Sequence, residues 1–263
     1  MNTIDSAVQE ELARLVRQAG AKLMEYWPGA LSSRGREGLH IAKKPDGSFV
    51  TEADYVSNDI LTAALRQLFP ADGILSEESE IDPALGQKER IWIIDPLDGT
   101  QTFIDGNDDF AILLALCNRG AMEFGMMYLP ARDQFAMACK GRGATVNGVS
   151  MRVSQSSEIR PQALYLRHLS GPKSEKVFPR WLDSSAAFLR LCQGEFDGIV
   201  VKIVNHQEWD LATAAVLIEE SGGKVTDEHG QKISFGSGTV TFTHFVASNG
   251  KVHQDLLRLL ECP

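Results

Sequence analysis

The chain has 263 residues, 43% of them apolar and 23% charged, with a formal net charge of −9. That length allows one large or two modest domains with a sizeable core. No run nears the ~18 apolar residues of a membrane span, and the acidic balance argues against general affinity for nucleic acid or anionic membrane.

Residues 1–20 mix charges with apolar positions and contain no signal-peptide core, so a cytoplasmic location is expected. The four cysteines, Cys117, Cys139, Cys192 and Cys262, are scattered without a CxxC pair. They read as free thiols rather than a disulfide framework or a zinc site.

In chain order, Ile4, Val8, Leu12, Leu15, Val16, Leu23 and Met24 recur at helical spacing. Ser6 with Gln9 is a candidate capping box, and Trp27-Pro28-Gly29 ends that helix. Gly29 to Gly47 lacks periodicity and reads as a mobile loop. A second helix is predicted from Thr51 to Phe69, stopped by Pro70. Two short strands follow, Gly73 to Ser76 and Arg90 to Ile94, separated by a polar loop from Glu77 to Glu89.

Apolar runs at Ala111 to Cys117, Phe124 to Leu129 and Gln134 to Cys139 predict an antiparallel meander. Tight turns are expected at Gly141-Arg142-Gly143 and Asn147-Gly148. Beyond them come a strand at Ala163 to Leu166, a helix at Ser184 to Cys192 and a strand at Ile199 to Val204. A helix from Asp210 to Ser221, a strand at Phe245 to Ala247 and a short helix to Leu260 complete the chain. Strands and helices mixed without strict βαβ rhythm favour an α+β or α/β layered sandwich. The chain reads as a single domain over residues 1–263, with an N-terminal half to residue 150 and a C-terminal half from 151.

The chemistry concentrates at Asp95-Pro96-Leu97-Asp98-Gly99-Thr100. The strand Ile91-Trp92-Ile93-Ile94 ends at an acid, and proline is expected to end the strand, because it cannot donate to a ladder. Glu77, Asp95, Asp98 and Asp210 all fall where a strand stops or a helix starts, the usual ligand end of α/β elements. Two carboxylates about 4 Å apart repel by roughly 4 kcal/mol at an effective dielectric of 20. Acids that converge must therefore bind cations, and oxygen ligands suit Mg²⁺. Glu77 and Glu78 are adjacent, so in a continuing strand only one would face such a site. Asp54 with Thr51 also fits a helix-start pattern. Gly99 and Thr100 offer backbone N–H groups to a phosphate at a helix start.

Gly73-Ile74-Leu75-Ser76-Glu77-Glu78-Ser79, Trp92-Ile93-Ile94-Asp95-Pro96-Leu97-Asp98-Gly99-Thr100 and Trp209-Asp210-Leu211-Ala212 resemble the inositol monophosphatase superfamily. Lys43, Val50-Thr51-Glu52-Ala53-Asp54 and Glu219-Glu220-Ser221-Gly222-Gly223 extend the resemblance over most of the chain. It implies an αβαβα sandwich, a Mg²⁺-dependent phosphate monoesterase with two or three ions per site, and a homodimer. By position Glu77, Asp95, the Leu97 carbonyl, Asp98 and Asp210 match metal ligands, which selects Glu77 over Glu78. Asp54 and Thr100 match the pair that orients the attacking water, and Gly99 and Thr100 the phosphate-binding turn. Direct attack of an activated water on phosphorus is the implied mechanism, without a phosphoenzyme.

On the substrate side the resemblance implicates Asp98, Gly99, Thr100, Ser185, Ala186, Lys202 and Asp210. Two departures bear on the substrate. Asp183-Ser184-Ser185-Ala186-Ala187 carries serine where inositol monophosphatases have glycine, and Lys202 is the nearest equivalent of their inositol-binding glutamate. A lysine suits a second anionic group, as in the 3′(2′),5′-bisphosphate nucleotidases, which Leu97 and Gly106-Asn107-Asp108-Asp109-Phe110 also resemble. Gln101-Thr102-Phe103 departs from that branch. The expected substrate is thus a small phosphorylated nucleotide, with inositol or another sugar phosphate as the alternative. His206, four residues before Asp210, is a candidate to approach it, whereas the other histidines read as surface or loop residues. A non-catalytic reading makes Asp105 to Asp109 an acidic calcium loop, but position twelve of that loop is Leu116 instead of glutamate.

Overall fold

The computed structural model describes residues 4–29, 39–45, 47–169, 176–178 and 182–261. Most of the loop expected before Gly47, and Cys262, lie outside them.

Two helices, α1 (Ser6–Tyr26) and α2 (Glu52–Leu68), form the first layer. Between them β1 (Ile41–Lys43) and β2 (Phe49–Thr51) pair as an antiparallel hairpin, so the segment expected as loop contains a strand. The cap of α1 also differs from expectation. Asp5 caps it by accepting from Val8 N–H, one residue ahead of the expected Ser6, and its charge also suits the positive end of the helix dipole.

The second layer is a seven-stranded sheet in the order β3-β4-β5-β6-β7-β8-β9. Its strands are β3 (Gly73–Ser76), β4 (Arg90–Asp98), β5 (Ala111–Asn118), β6 (Ala121–Leu129), β7 (Gln134–Cys139), β8 (Ala144–Val146) and β9 (Val149–Ser150). Only β3 and β4 are parallel; the rest form the meander. Period-two alternation divides each central strand between two cores. Trp92 and Ile94 join Leu12, Val16 and Leu23 of α1 on one face. Ile91 and Ile93 join the cluster on the other face.

That second cluster is filled by α4 (Ser184–Cys192) and α5 (Glu208–Glu220). The approach of α5 to the sheet is close: a Cβ at Gly125 would lie 2.5 Å from Val216 Cγ1. Beyond these helices stands a four-stranded sheet, β10-β11-β13-β12. It comprises β10 (Leu164–Arg167), β11 (Gly198–Lys202), β12 (Lys224–Thr226) and β13 (His244–Ser248). The outermost layer is α6 (His253–Glu261), whose Leu256 and Leu257 pack on Val200 and Val246. Helices, sheet, helices, sheet and helix thus alternate as five layers, the expected αβαβα sandwich. The first sheet ends at Ser150 and the second begins at Leu164, while one core cluster joins them.

No helix among the described residues is long and apolar enough to cross a membrane. Cys117, Cys139 and Cys192 are free, and burial pushes the Cys192 thiol up to about 12. His253 departs from the surface role expected of it. It is 3% exposed, with its ring nitrogens 2.9 Å from Ser248 Oγ and Thr226 Oγ1.

Candidate active site

β4 does not stop at Asp95. It continues to Asp98, because the proline sits in a bulge rather than in the ladder. Asp95 pairs with Leu113 and Asp98 with Ala111, so three steps on β4 oppose two on β5. In a regular strand residues three apart point to opposite faces; the extra residue returns both acids to the same one. Asp95 is fully buried and Asp98 is 8% exposed. Ser57 Oγ pins the bulge by donating to Pro96 O at 2.8 Å, and Leu97 N–H donates to Asp95 Oδ1 at 3.0 Å.

Asp210 comes to the same place from α5. It is the third residue of that helix, not its cap; Gln207 is the cap, and its N–H donates to Asp210 Oδ2. Carboxylate oxygens of Asp95, Asp98 and Asp210 all lie within 4.8 Å of one another. Glu77 follows β3 directly, its N–H donating to Ile94 O at 3.2 Å, which sets it beside Asp95. The chain turns there, so strand alternation does not separate the two glutamates. Lys44 Nζ pairs with Glu77 Oε1 at 2.7 Å and also with Glu78. Lys43, the lysine that shared in the family resemblance, is exposed on β1.

Burial, and then the charges of Glu77, Asp98 and Asp210, push the Asp95 carboxyl well above the usual carboxylate range. Asp98 is raised by burial, Asp183 and Asp210, against a hydrogen bond from Ser185 Oγ. Asp210 is pushed up to about 7 by burial and Glu77, with the Gln207 N–H opposing. A divalent cation reverses this pattern, since it stabilises the charged form of every acid around it. One atom suits such an ion: among the described residues, Asp95 Oδ2 is buried without a hydrogen-bond partner. An all-oxygen donor set of this kind suits a hard cation such as Mg²⁺.

Asp54 is the third residue of α2 and closes its capping box, Oδ2 accepting from Thr51 N–H at 2.8 Å. Its other oxygen, Oδ1, accepts from Thr100 Oγ1 at 3.2 Å, and Leu97 O lies at the same distance from that hydroxyl. Burial pushes Asp54 up to about 7, with the Thr51 hydrogen bonds opposing. Thr100 opens α3 (Thr100–Ile104) behind Gly99, whose φ of +80° is left-handed backbone that favours glycine.

A cleft of about 410 Å³ opens over these groups. Of the substrate-side expectations, Asp98, Gly99, Thr100 and Asp210 line it. Ser185 is fully buried behind Asp98, and Ala186 packs in the core between the sheets. The residues of that run on the cleft wall are instead Asp183 and Ser184, because α4 turns its next residues inward. Lys202 is exposed at the end of β11, in register with His244, and does not line the cleft. Arg167, at the end of the neighbouring β10, does. His206 reaches the cleft as anticipated, its ring 5.7 Å from that of His168. Arg167 and His168 carried no motif by which the sequence would have marked them, and Asp183 stood in the quoted run Asp183-Ser184-Ser185-Ala186-Ala187 without being assigned a role.

The sequence model of the inositol monophosphatase family matches residues 5–262. The chain is 30% identical over 248 residues to a histidinol-phosphatase of Chlorobaculum parvum, covering 89% of this chain and 92% of that one. It is 29% identical over 241 residues to the Nus factor SuhB of Pseudomonas aeruginosa, covering 85% and 86%. Among solved structures, an IMPase of Thermotoga maritima superposes with a TM-score of 0.78 at 25% identity, covering 98% and 97%. Members of this family are metal-dependent phosphatases that hydrolyse phosphate monoesters. Layer order, bulged acidic strand and sequence match lead to one conclusion: the chain belongs to the inositol monophosphatase family.

Proposed function

We propose that the chain hydrolyses small phosphate monoesters, with Glu77, Asp95, Leu97 O, Asp98 and Asp210 holding two or more Mg²⁺ ions. The observation that carries this is the meeting of Asp95, Asp98 and Asp210 within 4.8 Å, with Asp95 Oδ2 unpartnered among the described residues. When bound, Mg²⁺ supplies Lewis-acid neutralisation of phosphoryl charge and a lowered pKa for water. Thr100 Oγ1 and Asp54 Oδ1 orient the attacking water and accept its proton, Asp54 being tied to both Thr51 and Thr100. Gly99 lets the chain turn so that the first amides of α3 face the phosphate. Water excluded from the buried floor strengthens each of these contacts.

The nucleotidase branch loses its main support, because Lys202 stands outside the cleft. A monophosphate of a small alcohol is the reading the cleft favours. The test is hydrolysis of p-nitrophenyl phosphate with and without Mg²⁺, run in ¹⁸O water. Mg²⁺-dependent release of phosphate carrying one solvent oxygen supports the proposal; metal-independent turnover or a trapped phosphoaspartate sinks it. The homodimer implied by the family resemblance is part of the same reading, and sedimentation equilibrium checks it.

A further inference from the structure

In-line displacement puts the leaving alcohol on the far side of phosphorus from the attacking water. Asp54 and Thr100 mark the water side, with Glu77 and Glu78 the charges nearest Asp54. Asp183 and Arg167 act instead on Asp98 and Asp210, whereas the charges acting on Asp54 are Glu78 and Glu77. The side of Asp183 and Arg167 therefore receives the alcohol.

Asp183 is 4% exposed and lines the cleft. Among the described residues its carboxylate accepts one hydrogen bond, from Thr102 Oγ1 at a long 3.4 Å. It makes no ion pair within 4 Å there, although Arg167 lies on the same wall. A buried carboxylate with its acceptor capacity largely unused calls for a donor. Gly99 keeps the approach open, since a Cβ at that position would stand 3.1 Å from Asp183 Oδ2. On the same wall His206 Nδ1 is buried with no hydrogen-bond partner among the described residues.

The charge balance indicates which donor. Asp183 adds a seventh carboxylate to the six already described at the site, while Lys44 and Arg167 are the cations there among the described residues. Counted over the described residues with all acids ionised, two divalent cations and a phosphate dianion still leave a negative balance. A second phosphate on the alcohol would worsen this, and a neutral polyol would leave it unchanged. An ammonium group beside Asp183 offsets it, and hydrogen bonds between charged partners are the stronger kind.

We infer that Asp183 is a specificity-determining residue for the leaving group and that the preferred substrates are phosphate monoesters of amino alcohols. This rests on the phosphatase reading above. The matched probes are 2-amino-1,3-propanediol monophosphate and glycerol 1-phosphate, which differ by ammonium against hydroxyl, with p-nitrophenyl phosphate as the reference ester.

Wild type is expected to favour the amino ester in kcat/KM by about tenfold or more, the effect of one charge-assisted hydrogen bond. Asp183→Asn brings the ratio towards one, chiefly through KM. The wild-type preference also fades as pH rises through the amine's own pKa. Stronger product inhibition by free 2-amino-1,3-propanediol than by glycerol tests the inference on wild type alone, should the variant fold poorly. Hydrolysis of p-nitrophenyl phosphate with no preference within the pair overturns the inference and leaves the phosphatase reading standing. Preference for adenosine 3′,5′-bisphosphate over both esters overturns it in favour of anion binding at Arg167. Failure of every ester overturns both.

Discussion

Thr100 Oγ1 lies 3.2 Å from Asp54 Oδ1, joining the start of α3 to the start of α2 across 46 residues of sequence. The same Asp54 closes the capping box of α2, so one carboxylate serves the helix with Oδ2 and the site with Oδ1. Asp210 repeats the arrangement in α5, where the Gln207 N–H occupies Oδ2. Capping fixes each acid's rotamer and so preorganises it for the role proposed above.

Removing the hydroxyl separates these duties. Thr100→Val is expected to lower kcat by about 10²-fold or more, within the usual range for positioned proton transfer, with a smaller change in KM. Thr100→Ser retains most of the rate. Steady-state kinetics with Mg²⁺ in excess check both, and an unimpaired valine variant would remove Thr100 from the mechanism.

Asp95 carries opposite consequences for function and stability. Asp95→Asn is expected to weaken Mg²⁺ binding by about tenfold or more in calorimetry, as loss of a charged ligand at a hard-cation site. Without metal the variant unfolds later than wild type, by on the order of 1–3 kcal/mol, because it relieves like-charge crowding around a buried acid. Urea unfolding in chelator measures the second effect; a less stable variant would show that the acids do not repel in the metal-free protein.

His253 makes stability depend on pH. Its imidazole has an ordinary value of 6.5 and is held at about 4 in the fold, chiefly by burial. Below pH 6.5 the unfolded chain binds a proton that the folded one does not. The contribution is therefore complete above that pH and is lost as pH falls towards 4, by about 3 kcal/mol. His253→Phe should unfold with a flatter pH dependence between pH 7.5 and 4.5, although it is less stable overall. Equal slopes for variant and wild type would refute the assignment.

Packing between sheet and helix has a direct probe in Gly125. Gly125→Ala drives a methyl to 2.5 Å from Val216 Cγ1 and is expected to cost about 1–3 kcal/mol. Val216→Ala in the same chain should recover part of that loss, giving a non-additive cycle by denaturant unfolding. Additive effects would mean that α5 shifts as a body to make room.

Lys202→Ala is expected to leave kcat/KM within about twofold, as surface substitutions away from a site do. A large rise in KM for a bisphosphate substrate would bring the lysine back into the reaction.

The sequence by itself determined the helices, the meander and the acids at element ends. Apolar periodicity and caps are local, and Asp-Pro-Leu-Asp-Gly-Thr is compact enough to carry its own signature. Glu77, Asp95, Asp98, Asp210 and the Asp54–Thr100 pair were all legible there, and the structure brings them together. What only the tertiary structure decided was the opposite wall. Arg167 and Asp183 belong to β10 and to the entry of α4, and they meet because parallel pairing with β11 and packing of α4 on α5 set them there. Lys202, the cation expected beside the substrate, ends on an exposed strand terminus instead. The bulge shows the same division: proline and glycine announced an irregularity at Asp95 to Gly99. Only pairing with β5, three residues against two, determined that both aspartates face one site.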